Sequence, residues 1–264
     1  MKERLDVLLV EQGFAASREK AKAIIMSGNV FVNGQREDKA GTTFDPAKST
    51  IEVKGQTLKY VSRGELKLEK AMAQFDITLE DKVCMDIGAS TGGFTDCMLQ
   101  NGAKKVYAID VGHNQLAKKL CEDNRVISIE GMNVRDITDK TLPEKVSFIS
   151  VDISFISLKL AILPMLEILD ESGKIAVLIK PQFEVGKENI GKGGIVKSKK
   201  AHIRMLDEMM AFFSECSLNI AYFSYSKIKG GDGNIEYIAL LDKNNVKCFV
   251  NVEKTVDEAF LSLK

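Results

Sequence analysis

Two ionisable residues close neighbouring apolar runs: Asp152 ends VSFISVD (146 to 152) and Lys180 ends KIAVLIK (174 to 180). Upstream, DIGASTGGFTD (86 to 96) sets Gly88, Gly92 and Gly93 between another apolar run and a helix-like segment, and Asp110 follows 22 positions after Gly88 at the end of VYAID. Ligands of open α/β sheets bind beyond the carboxyl ends of the strands, so all these residues would face one cleft. A dinucleotide fingerprint asks for glycine where Ser90 stands, and the turn also lacks the Lys-Ser/Thr ending of a P-loop. An acid at the position of Asp110 accepts the two ribose hydroxyls of an adenosine ligand. An adenosine without a pyrophosphate fits best, and S-adenosylmethionine is the common one; a tightly packed turn and a plain strand-end acid are the blander alternatives. None of the four prolines (46, 143, 164, 181) is followed by proline or cysteine, so the turn used for ring-nitrogen methylation and the Pro-Cys nucleophile of pyrimidine methylation are both missing. An acid and a lysine suit a hydroxyl, which must lose its proton as a methyl group moves in line from sulfur to oxygen.

The elements that would hold these groups follow from the apolar pattern. Seven runs, VCMDI (83 to 87), VYAID (106 to 110), VISI (126 to 129), VSFISVD, KIAVLIK, IAYFSYS (220 to 226) and IEYIALL (235 to 241), alternate with helical segments. That alternation predicts an α/β fold with a doubly wound, largely parallel seven-stranded sheet, Rossmann-like in organisation. The short turn KIKGGDGN makes the last two strands an antiparallel hairpin at one side. Before residue 60 the texture differs: Leu5, Leu8 and Leu9 share one helical face, a second short helix opens at Ser17 and closes at Gly28, and VFVNGQ and IEVKGQTL read as strand and turn. This gives a small α+β domain over 1–59, a linker over 60–63 and the larger domain over 64–264. The segment after the linker begins with a Ser62/Glu65 capping box and sets Leu68, Met72 and Phe75 on one face of a helix.

The totals narrow the class. Lysine plus arginine (37) equals aspartate plus glutamate (37), so attraction to phosphate must come from local patches. Five cysteines at 84, 97, 121, 216 and 248, never spaced as CxxC, fit reduced thiols in a cytoplasmic protein and offer no metal site. MKERLDVLL lacks a secretory apolar region, and the apolar run IAVLI (175 to 179) falls far short of a membrane span. His113 and His202 have no partner at recognisable spacing and read as surface residues, whereas Phe94, Phe155 and Phe183 read as packing groups.

Seven ordered motifs, RLDVLLVEQG, SREKAKAIIMSGNVFVNG, YVSRGELKLEKA, DIGASTGGFTD, VDISFIS, IKPQFEVGK and GNIEY, cover nearly the whole chain. In these the sequence resembles the TlyA family of ribosomal-RNA 2′-O-methyltransferases, often labelled haemolysin-like, in which an S4-type RNA-binding domain precedes an FtsJ-like methyltransferase. The resemblance implies a catalytic tetrad of Lys67, Asp152, Lys180 and Glu236. It implies a cofactor site in which Gly88, Gly92, Gly93 and Phe94 line the methionine end, Asp110 takes the ribose, and Asn133 and Asp136 lie by the adenine, with Asp86, Ser90, Thr91 and Asp152 completing the set. The FtsJ-like pattern has an acid where Asn133 stands. A free lysine titrates near pH 10.4, so Lys180 would act as a base only if its neighbours and burial lower that value. Lys67 and the sulfonium push that way, while Asp152 and Glu236 oppose it.

Ribosomal RNA or a ribosomal subunit would be held by two patches. Arg4, Arg18, Lys20 and Lys22 lie on or beside the first two helices, though Glu3, Asp6, Glu11 and Glu19 nearly cancel them. The stronger patch is EVGKENIGKGGIVKSKKAHIR (184 to 204), with Lys187, Lys192, Lys197, Lys199 and Lys200, directly after Lys180; Arg63 joins the set from the linker. Only RNA offers the 2′-hydroxyl. The competing expectations are a membrane-active haemolysin, which the missing secretion signal, missing apolar span and zero net charge speak against; a small-molecule O-methyltransferase, which has no use for the N-terminal RNA-binding unit; and an RNA-binding protein with an inactive methyltransferase half, which the intact tetrad argues against.

Overall fold

A computed structural model describes all residues except Met1, Gly13, Ala16, Ser27, Ala47, 54–67, 69–76, Gly231, 245–248 and Lys264. The chain divides into two compact units, Met1–Lys59 and Tyr60–Lys264. The expected linker 60–63, its capping box and Met72 and Phe75 lie outside the described residues. Leu68, from the same segment, is fully buried.

In the first unit, strand β1 (Glu3–Arg4) leads into α1 (Leu5–Glu11), followed by α2 (Arg18–Met26). Leu5, Leu8 and Leu9 pack against Ala21 and Ile25 as their helical spacing requires. Strands β2 (Val30–Val32) and β3 (Gln35–Arg36) form a hairpin whose turn residues Asn33 and Gly34 have φ of 52° and 80°. Both signs are positive, as a tight two-residue hairpin turn demands, which is why Asn-Gly stands there. Strand β4 (Thr43–Phe44) pairs with β1, and β5 (Ile51–Val53) pairs with the free side of β2.

The second unit is built on one sheet. Its strands are β6 (Val83–Ile87), β7 (Lys105–Asp110), β8 (Val126–Glu130), β9 (Val146–Val151), β10 (Leu169–Ile179), β11 (Asn219–Tyr225) and β12 (Tyr237–Asp242), in the order β11-β12-β10-β9-β6-β7-β8. The first five run parallel to one another, and the hairpin strands β11 and β12 are antiparallel, with β12 inserted antiparallel beside β10. Strand β10 starts five residues earlier than its apolar run, with a register shift between Leu169 and Lys174. The intervening DESG hides that start from any hydrophobic pattern.

Alternation along the strands sends successive side chains to opposite faces. Met85, Ile87, Ile149, Val151, Ile175, Val177 and Tyr237 face one core, and Cys84, Phe148, Ala176 and Leu240 face the other, with Phe94, Cys97 and Met98 of helix α3 (Gly93–Gln100). Asp86 shares the face of Cys84. It is therefore buried against α3, accepting hydrogen bonds from Thr95 Oγ1 (2.7 Å) and Ser150 Oγ (2.8 Å).

Burial pushes the Asp86 carboxyl up to about 6, against the opposing pull of the two hydroxyls. A raised folded-state value means that ionisation costs stability: the full contribution is present below the unfolded value near 4 and is lost as pH climbs through 6. Asp86→Asn removes that titration. Its stability relative to the native chain should rise by about 2–3 kcal/mol between pH 4 and pH 7, read by urea unfolding at both values; a constant difference would contradict the burial argument.

Candidate active site

The glycine turn is shaped by what lies under it. Gly88 has a φ of 79°, and a β-carbon there would overlap the main-chain carbonyl of Asp152. Gly92, at the head of α3, has a φ of 91° and faces Leu116 and, on the short helix α4 (Lys118–Cys121), Leu120, with no room for a side chain. Gly88 N and Ala89 N both donate to Ile109 O, and Ser90 N donates to Asp110 Oδ2 at 2.8 Å. Gly112 N donates to the other carboxylate oxygen at 2.7 Å. Two backbone donors thus fix Asp110, and each oxygen keeps a further lone pair for an incoming hydroxyl.

A cleft of about 480 Å³ opens above these strand ends, lined among others by Gly88, Ser90, Asp110, Asn133, Asp152 and Phe155. Asn133 enters it while its Oδ1 accepts from Arg135 N and Arg135 Nε, capping a short 3-10 turn. The remaining residues expected at the cofactor are not among those lining this cleft. Asp86 and Phe94 are buried in the α3 core, Gly92 and Gly93 are buried at the start of α3, and Thr91 and Asp136 are solvent-exposed. Asp86 therefore supports the turn from below.

At the chemical end, Lys180 Nζ stands 2.6 Å from Asp152 Oδ1 and donates to Ser154 Oγ at 3.0 Å. Both charged side chains are largely shielded, at 13% and 26% exposure. Asp152 Oδ1 lies out of contact with solvent and accepts no hydrogen bond of regular geometry, so the closeness is that of an ion pair approached off axis. Glu236 is 3% exposed, its carboxylate against Gly230. The ladder between β10 and β12 ends at Ile179 with Tyr237, so Lys180 and Glu236 each stand one residue beyond it. The structure brings Asp152 and Lys180 together directly. Lys67 and Arg63 lie outside the described residues.

Two further groups brace this end. Glu184 closes the short helix α6 (Pro181–Glu184) and accepts from Ser157 Oγ (2.6 Å) and Leu158 N (2.8 Å), at the head of α5 (Leu158–Leu166). It ties the segment after Asp152 to the segment after Lys180, and its burial raises its carboxyl above the usual range. Phe155 departs from the expectation that it packs. It is 88% exposed, has a φ of 69°, and its ring lies 5.2 Å from that of Phe183. A left-handed backbone at a bulky residue is strained, of order 1 kcal/mol, and it lifts the ring out at the cleft.

His202 also overturns its expected surface placement. It lies fully buried on α7 (Lys199–Glu215), with Nδ1 2.8 Å from Tyr237 Oη and Nε2 3.0 Å from Val196 O. Its positions relative to Met205, Leu206 and Met209 follow the apolar stripe of that helix, a signal available in the sequence. Asn234, fully enclosed, accepts from Val196 N and donates to Gly194 O, so the far end of the basic segment is fastened to the strand after it. Lys187, Lys192, Lys197 and Lys200 are exposed, whereas Lys199 pairs with Asp257 at 2.7 Å. Lys20 and Lys22 are exposed as well, and Arg4 and Arg18 are tied to Asp6. Among the described residues no cluster of histidine, cysteine or carboxylates fits a metal ion, and no helix is long and apolar enough to cross a membrane.

The FtsJ-like methyltransferase family matches residues 60–243 and the S4 domain matches residues 3–47. The chain is 52% identical over 242 residues to YqxC of Bacillus subtilis, which carries an rRNA methyltransferase name, covering 90% of this chain and 84% of that protein. It is 35% identical over 238 residues to TlyA of Mycobacterium tuberculosis, named a 16S/23S rRNA (cytidine-2′-O)-methyltransferase, covering 90% and 89%. A solved structure from Streptococcus thermophilus that carries a hemolysin name superposes with a TM-score of 0.78 at 44% identity, covering 99% of this chain and 96% of that one. With the S4 domain and the FtsJ-like methyltransferase in this order and relatives matching along most of their own length, the chain belongs to the TlyA family of S4-domain, FtsJ-like methyltransferases.

Proposed function

We propose that this protein transfers a methyl group from S-adenosylmethionine to a ribose 2′-hydroxyl of ribosomal RNA. The observation that carries the reading is the Lys180–Asp152 pair at 2.6 Å, standing at the rim of a cleft whose opposite wall presents Asp110 with spare acceptor capacity. The residues fit the cofactor: Asp110 would hold both ribose hydroxyls, the turn at Gly88 and Ser90 would line its path into the cleft, and the amide of Asn133 would meet the base. When bound, the cofactor supplies a methyl group on a sulfonium. Lys180, oriented by Asp152 and Ser154, takes the proton of the 2′-hydroxyl or stabilises the charge growing on its oxygen. Glu236 steadies Lys180 from the neighbouring strand, and Lys67, placed here by its motif, would hold the ribose and adjacent phosphate. The exposed lysines 187, 192, 197 and 200, with Arg4, Arg18, Lys20 and Lys22, would gather the phosphate backbone, making binding salt-dependent. Phe155 offers its face to the target nucleobase, since every base has a π-surface to stack.

Two measurements test the chemistry. Lys180→Ala should lower methyl transfer from tritiated cofactor to ribosomal subunits by about a thousandfold or more while calorimetry still detects cofactor binding; full transfer in that variant overturns the assignment. Phe155→Asn, which suits a left-handed backbone, should leave thermal unfolding unchanged or slightly raised yet cut kcat/KM for RNA by about tenfold. Phe155→Tyr should restore it, and native activity in the Asn variant would return Phe155 to a passive role.

A further inference from the structure

A carboxylate with no access to solvent joins two arginines of the N-terminal unit. Asp6 lies on the first turn of α1; Arg4 donates through Nε to Oδ1 (2.9 Å) and through Nη2 to Oδ2 (3.1 Å), and Arg18 Nη2 donates to Oδ2 (2.9 Å). The hydrogen bonds from Arg4 hold the carboxyl well below the usual range, burial opposes them, and Arg18 adds to the lowering. The two arginines come from different elements, β1 and α2, and converge on one anchor. Each is nevertheless about half exposed, at 48% and 52%. The backbone of 40–42 supports the anchor, since Thr42 O and Ala40 O accept from Leu5 N and Asp6 N.

The carboxylate fixes the planes of both guanidinium groups while about half of each stays open to an incoming ligand. We infer that Asp6 is a positioning residue, setting Arg4 and Arg18 side by side as a two-pronged receptor for a phosphate of the RNA backbone. The inference rests on the RNA reading above. A guanidinium recognises phosphate through paired N–H groups, and a side chain already held in place forfeits less freedom on binding. The carboxylate itself repels phosphate. Positioning and charge therefore pull in opposite directions, which makes the effect of removing the charge diagnostic.

The test uses the full chain and deproteinised 16S and 23S RNA, with binding measured across a salt series and methyl transfer at varied RNA. Asp6→Asn keeps the shape and adds one net positive charge. Counting charge alone, it binds RNA more tightly with a steeper salt dependence. Positioning requires the reverse: about tenfold weaker binding, with the loss in KM for RNA rather than in kcat. Equal or tighter binding in a variant with native thermal unfolding overturns the inference while leaving the proposed function standing; a native protein that neither binds these RNAs nor methylates ribosomal subunits sinks both. If Asp6→Asn unfolds the unit, the Arg4→Lys, Arg18→Lys double variant decides, since it keeps charge and loses the forked geometry. Several-fold weaker binding supports the receptor, and native affinity rejects it.

Discussion

The main-chain carbonyl of Asp152 fills the space that a β-carbon on residue 88 would need, and the rest of the site is arranged around that contact. Strands β6 and β9 lie side by side, with Asp152 N donating to Ile87 O just beyond their ladder. The glycine turn and the acid beside Lys180 consequently cannot move independently. The same turn reaches the other way, through Gly88 N to Ile109 O and Ser90 N to the Asp110 carboxylate. Glu184 extends the stitching to the end of β10 by gripping Ser157 and Leu158. Four strand ends are thereby locked into one rim, and a rim of fixed dimensions is what a transfer between two bound molecules requires.

Much of that rim was legible in the residues because type and spacing coincide with element boundaries. An apolar run ending in Asp152, another ending in Lys180 and glycines after a third define strand ends, and strand ends define the cleft. What escaped depends on information that is not periodic. Phe155 is carried outward by one left-handed backbone angle, which no hydrophobic pattern encodes. Asp86 could have been placed from the alternation of VCMDI, which puts it on the face of Cys84, and His202 from the stripe that continues through Met205 and Met209. The sequence reads Asp86 instead as a cofactor residue of the glycine motif, and His202 as a surface residue without a partner at recognisable spacing. The two-residue strands β1 and β4 are too short for any period to show.

Two buried aspartates show how neighbours decide what a carboxyl does. Asp6 meets two guanidinium groups and is held ionised well below the usual range, while Asp86 meets two neutral hydroxyls and is raised to about 6. Burial acts on both in the same direction, so the difference comes from the partners. One aspartate serves an exposed pair of cations, and the other braces the underside of a ligand-facing turn. Neither would have been separated from the other by residue type alone.

The grip of Asn234 on Gly194 and Val196, repeated by His202 on Val196, imposes a length rule on the lysine-bearing segment. Residues 181 to 196 span two moorings, the end of β10 and the start of β12, so adding or deleting a residue before 194 would take Gly194 and Val196 out of step with Asn234, while the ladder between β10 and β12 holds its own register. Changes of sequence are free in this stretch where changes of count are not. Diversification of the segment should therefore proceed by swapping side chains on a template of constant span.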